Sequence, residues 1–85
     1  MSDFHTRTQN LIKEIKSLIN DKESRPRYMS ESQLESIVDE LCKMDYARNS
    51  EKFYPYYPRG IADSWDYNDE LGRKLLEHLD IYCSL

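Results

Sequence analysis

Three aspartates and a glutamate crowd the single tryptophan of this 85-residue chain: Asp63, Asp66, Asp69 and Glu70 surround Trp65, with no basic residue between Gly60 and Gly72. Side chains of this type can ligate a cation, hydrolyse a substrate as a carboxylate pair, or attract a basic partner. A calcium loop takes ligands at alternate positions, with a turn glycine and a terminal glutamate. Here the aspartates are three residues apart and the glycine is misplaced, so the metal reading fails on spacing. A hydrolytic pair is defined by separation in space, which proximity in sequence does not supply. Helix capping explains the carboxylates more simply, with Asp66 or Asn68 as N-cap and Asp69 and Glu70 in a first turn that favours negative charge. An acidic surface around an aromatic anchor also suits a basic protein, because charge speeds encounter and the ring holds the contact.

A second cluster lies just upstream, in Phe53-Tyr54-Pro55-Tyr56-Tyr57-Pro58-Arg59-Gly60. Prolines stiffen the backbone, so rings on it lose little entropy on binding, and this suits recognition. The competing reading is structural: the rings close the open side of a bundle too small to bury its aliphatic stripes alone. The two are compatible, since one ring face can pack while another is exposed. Gly60 is expected to supply a positive-φ turn after the prolines. Arg59 is expected to stack on a tyrosine, to pair with Asp63 or simply to meet solvent. Together these residues nominate Tyr54, Tyr56, Tyr57, Arg59, Asp63, Trp65, Asp66 and Tyr67 as a partner-binding set.

No catalytic constellation accompanies them. His5 and His78 are the only histidines, and His78 borders an apolar helical face, where a surface or boundary role is expected. No phosphate loop, nucleophile elbow or zinc-protease motif is present. The reading is therefore of a non-enzyme with no cofactor, metal binding or catalysis being only a minor alternative. Cys42 and Cys83 form no C-x-x-C pair and are expected to be buried free thiols. The first residues contain no apolar run of signal-peptide type, and no window approaches a membrane span, so the expected setting is cytoplasmic with no membrane partner.

The elements that must carry these residues are helical. Phe4, Leu11, Ile12, Ile15, Leu18 and Ile19 form one stripe, predicting a helix near 4–22 capped by Ser2 or Asp3 and ended before Pro26. Ser30-Glu31-Ser32-Gln33 is a capping-box pattern, with Met29 and Leu34 as hydrophobic staple; Leu34, Ile37, Val38 and Leu41 continue a helix over 31–44. Leu71, Leu75, Leu76, Leu79 and Tyr82 predict a third over 69–82, in which Gly72 marks a close approach to a neighbour.

Between the last two lies 46–67, long for a helix–helix link. It holds seven aromatics, Tyr46, Phe53, Tyr54, Tyr56, Tyr57, Trp65 and Tyr67. Pro55 and Pro58 exclude a continuous helix through its centre, while Ile61 to Tyr67 is compatible with a helical turn or an edge strand. The expected fold is all-α: one small three-helix domain over 1–85, with this long aromatic-rich connector packed on the bundle.

Charge is uneven. The chain carries a net charge of −4 with mean hydropathy −0.86, but residues 1–29 are net basic and all the excess acid lies in 30–85. That balance argues against nucleic acid, as does the distance between the second and third helices, which is too great for a helix-turn-helix. The expected function is a small protein-interaction module that binds a protein partner, a basic one by charge, through an acidic Tyr/Trp-rich surface. An inhibitor or immunity-like role is one concrete form, by analogy of charge. The alternative is a structural homodimer that buries the aromatic tract.

Overall fold

The computed structural model describes residues 4–66 and 68–85. Every regular element among them is helical: α1 (Phe4–Asn20), α2 (Glu31–Ala47), α3 (Tyr57–Ser64) and α4 (Glu70–Cys83). Helices α1, α2 and α4 answer to the three expected ones. The difference is α3, which forms inside the connector, so the domain has four helices rather than three.

α1 buries Phe4, Thr8, Leu11, Ile12 and Ile15, a stripe recurring every three to four residues. It stops at Asn20, short of the expected Lys22, and beyond it the Asp21 carboxylate accepts the Ser24 N–H at 3.3 Å. The expected caps Ser2 and Asp3 lie outside the described residues. α2 starts as its sequence directs: the Ser30 hydroxyl accepts the Gln33 N–H at 3.1 Å, and Met29 and Leu34 are both buried. Only half of the capping box forms, since Gln33 uses its side-chain oxygen elsewhere. α2 runs past Met44 to Ala47 and ends on Arg48, the one residue of positive φ among those described, at 49°. A left-handed non-glycine residue costs about 1–2 kcal/mol. Two bonds from the Arg48 guanidinium to Asp45, one to its carbonyl and one to its carboxylate, offset that cost.

α3 is compatible with Pro58 because the proline sits in its first turn, where the missing N–H has no helical partner to lose. Gly60 is therefore helical, not a positive-φ turn. α4 begins one residue after Asp69, whose carboxylate accepts the Gly72 N–H at 2.8 Å. Asp69 is the cap, displacing Asp66 and Asn68 from that role. Asp66 acts one step earlier, accepting the Asn68 N–H at 2.8 Å and so shaping the turn that delivers Asp69.

Cross-contacts fix the topology. His5 bonds Asp45 and Lys74 meets Glu14, so α1 runs antiparallel to both α2 and α4. The Tyr56 N–H bonds Glu40 while Trp65 bonds Gln33, so α3 is antiparallel to α2. Tyr57 reaches the Leu75 carbonyl while Gly72 faces Trp65 and Ile61, so α3 is antiparallel to α4 as well. The result is an up-down-up-down arrangement with one short member. Its centre is mainly apolar: Ile15, Leu34, Leu41, Met44 and Leu75 are each 0% exposed.

Candidate interaction surface

The connector's aromatics divide into two groups. Tyr57 and Trp65 point inward at 4% and 7% exposure. Tyr57 donates its hydroxyl to the Leu75 carbonyl at 2.8 Å, and burial, with the Glu40 carboxylate nearby, raises its pKa above the usual phenol value. Trp65 donates its indole N–H to the Gln33 side-chain oxygen at 2.9 Å and tilts against Tyr28. These two rings are thus structural wedges between α3 and its neighbours, not exposed anchors: with Tyr28 they close a side that the aliphatic stripes of so small a chain leave open. Phe53 is half-buried, with the Lys43 ammonium 5.9 Å above its ring.

Tyr54 and Tyr56 point outward at 55% and 82% exposure, and Tyr46, at the end of α2, is 92% exposed. Their backbone is nevertheless pinned. The Tyr82 hydroxyl reaches the carbonyls of Asn49 and Phe53 at 2.8 and 2.6 Å, Pro55 is fully buried, and Glu40 holds the Tyr56 N–H. Rings on a fixed backbone in water carry their contact area at little entropic cost.

Arg59, Ala62 and Asp63 are exposed along the outside of α3, and Asp66 is exposed just beyond its C-terminal cap. The sequence places Asp63 one turn from Arg59, but no ion pair joins the two among the described residues. Beside the C-terminal end of α3, that helix and α4 enclose a cleft of about 650 Å³. Apolar Ile61, Ala62, Trp65 and Leu76 line it, together with charged Asp66, Asp69 and Arg73. Asp69 is fully engaged, since its second oxygen accepts the Tyr28 hydroxyl at 2.5 Å.

Of the nominated set, Tyr54, Tyr56, Arg59, Asp63 and Asp66 are exposed, on α3 or next to its two ends, whereas Tyr57 and Trp65 are buried; Tyr67 lies outside the described residues. Sequence reasoning missed Tyr46 as an exposed ring. It falls off the Leu34, Ile37, Leu41, Met44 stripe of α2, and a longer helix would have placed it outside. It also missed Gln33 and Tyr28, whose polar atoms meet Trp65 and Asp69 across the fold.

The remaining chemistry is sparse. Cys42 and Cys83 are free, as expected, but exposed rather than buried. His78 is buried at 0% exposure rather than at a boundary. Among the described residues no three His, Cys, Asp or Glu side chains converge on a metal position, and no described helix is long and apolar enough to cross a membrane. Comparison with family profiles, with curated proteins and with solved structures finds no match.

Proposed function

We propose that this chain is a small protein-interaction module and that it presents the outer face of α3, entered through Tyr54 and Tyr56, to a basic protein partner. The observation that carries this reading is the pinned exposure of Tyr56, 82% open to solvent on a backbone held by Glu40 and by the buried Pro55. Exposed aromatics on a rigid support are the residues that dominate interfaces, while bulk apolar area does not distinguish them. Asp63 and Asp66 supply the charge for a basic partner, and the cleft beside Trp65 offers a recess for one of its side chains. Eight helical residues span about 12 Å, so with the flanking tyrosines the face offers about ten residues against the roughly 20–30 per side of a standard interface, and it suits a small contact.

Site-specific photo-crosslinking tests the proposal. A photoreactive residue is placed at Tyr56, at Ala62 or, as control, at Lys16 on α1, in cells that produce the protein naturally. One shared protein partner trapped from positions 56 and 62 but not from 16 supports the module. Equal trapping from all three, or none, overturns it; trapping of a second copy of this chain overturns it in favour of the homodimer.

A further inference from the structure

Among the described residues, His78 is the one histidine that is fully buried. Its ring stacks on Phe4, with centroids 4.5 Å apart and planes 7° from parallel, and Phe4 in turn stacks on Tyr82. Thr8 donates its hydroxyl hydrogen to the Phe4 carbonyl at 2.8 Å. Its oxygen therefore accepts from His78 Nε2, also at 2.8 Å, and this fixes the proton of the neutral ring on Nε2. Nδ1 is left as a bare lone pair with no partner among the described residues. A second proton has to go there, into a buried position with no acceptor.

The charges around the ring do not rescue it. On α1, the Arg7 side chain faces His78, and its own Nε is buried without a partner, so a second cation is unwelcome. On α2, Asp45 is the one carboxylate among the described residues that favours the charged ring, and it is already shared between His5 and Arg48. On α4, the Tyr82 hydroxyl is committed to the connector.

We infer that His78 is an acid-sensitive latch: it holds the first turns of α1 against the C-terminal half of α4, and protonation at Nδ1 releases them. Release costs α1 only its first turns, since Phe4 and Thr8 are the residues that touch the ring. It uncovers Tyr82 and the adjoining face of α4. Burial, reinforced by Arg7, lowers the ring's pKa from 6.5 to about 4, whereas the released ring returns to the ordinary value. The open form therefore gains a proton that the closed form refuses. From pH 7.5 to pH 5 the opening equilibrium rises roughly thirty-fold. The His5–Asp45 contact at the start of α1 is half-exposed on its histidine side, where pairs of this kind contribute little.

Native-state hydrogen exchange on the whole chain, corrected for intrinsic rates, reads this directly. The account expects the amides of residues 8–12 to open about thirty-fold more readily at pH 5 than at pH 7.5, in the native chain and in His5→Gln. In His78→Gln, whose amide can still donate to Thr8, the rise disappears. An equal rise in His78→Gln, or an equal rise in every helix, overturns the latch. Should His78→Gln fail to fold, the ring of the native protein is titrated by NMR. A ring that titrates near 6.5 with α1 still docked overturns the proposal; a ring that stays neutral until α1 opens supports it.

Discussion

Replacing Tyr82 by phenylalanine removes one oxygen and leaves the ring. The stack on Phe4, with centroids 5.8 Å apart, survives, as does the burial of a side chain that is 1% exposed. What is lost is the donor that bridges the Asn49 and Phe53 carbonyls. The two acceptors are unequal. Asn49 also receives the N–H groups of Lys52 and Phe53, at 3.0 and 3.2 Å. Phe53 has Tyr82 as its only donor among the described residues, so its carbonyl is orphaned in a partly buried place. A typical bond contributes about 1 kcal/mol net, and an unsatisfied buried group costs about 1–3 kcal/mol. Partial solvation keeps the total near the low end, about 1–2 kcal/mol. For a domain of this size the corresponding fall in melting temperature is roughly 5–15 °C. Burial raises the Tyr82 pKa, so the hydroxyl stays protonated, and a donor, across the neutral range. Urea unfolding followed through the single tryptophan measures the loss, and amide protection over 49–56 shows whether the connector loosens first. A change under about 0.3 kcal/mol, with protection intact, would refute the idea that this hydroxyl pins the tyrosine-bearing segment.

Other substitutions probe other joints. Gly72→Ala places a Cβ 3.2 Å from Trp65 Cε3 and 3.4 Å from Ile61 Cγ2. Crowding outweighs the helix-propensity gain of about 1 kcal/mol, so the variant is less stable, and the sign reverses when Trp65→Leu makes room; paired urea melts check both. Ser30→Ala removes the α2 cap and lowers stability by about 1 kcal/mol by the same assay. Tyr28 has its pKa raised from 10.0 to about 12, first by its bond to the Asp69 carboxylate and then by burial and the negative charge. A raised pKa means that the folded chain holds this proton more tightly. The stability it contributes is complete below pH 10 and is lost as pH rises through 12. Melts across that window should be flatter for Tyr28→Phe than for the native chain.

The local rules carried far in this chain, and where they stopped has a physical cause. Caps and stripes are short-range, so Ser30 with Gln33, the Leu34–Leu41 face and the α4 leucines could be read directly. Gly72 was legible for the same reason: a glycine within a strong helical pattern implies close approach, and Trp65 and Ile61 are what it meets. α3 was legible only in part: Ile61 to Tyr67 allowed a helical turn, but Pro58 and Gly60 read as turn residues, and nothing local marks Pro58 as a first-turn proline. Tertiary packing overrides that weak preference by burying Tyr57 and Ile61 between α2 and α4. His78 and Gln33 were misread because their environments are made by residues far along the chain, Thr8 at one end and Trp65 in the connector. The nominated surface was legible as a segment but not ring by ring. In an alternation such as Tyr56-Tyr57, which ring turns inward depends on where the helix starts.

The most direct test of the module is the affinity of the crosslinked partner, once purified, for the native chain and for Tyr56→Ala. Tyr56 is 82% exposed and makes no side-chain contact that the fold depends on, so the variant should melt with the native protein. The account predicts that Tyr56→Ala weakens binding at least tenfold, about 1.4 kcal/mol, with Lys16→Ala unchanged. Equal affinity of Tyr56→Ala and the native chain would contradict it.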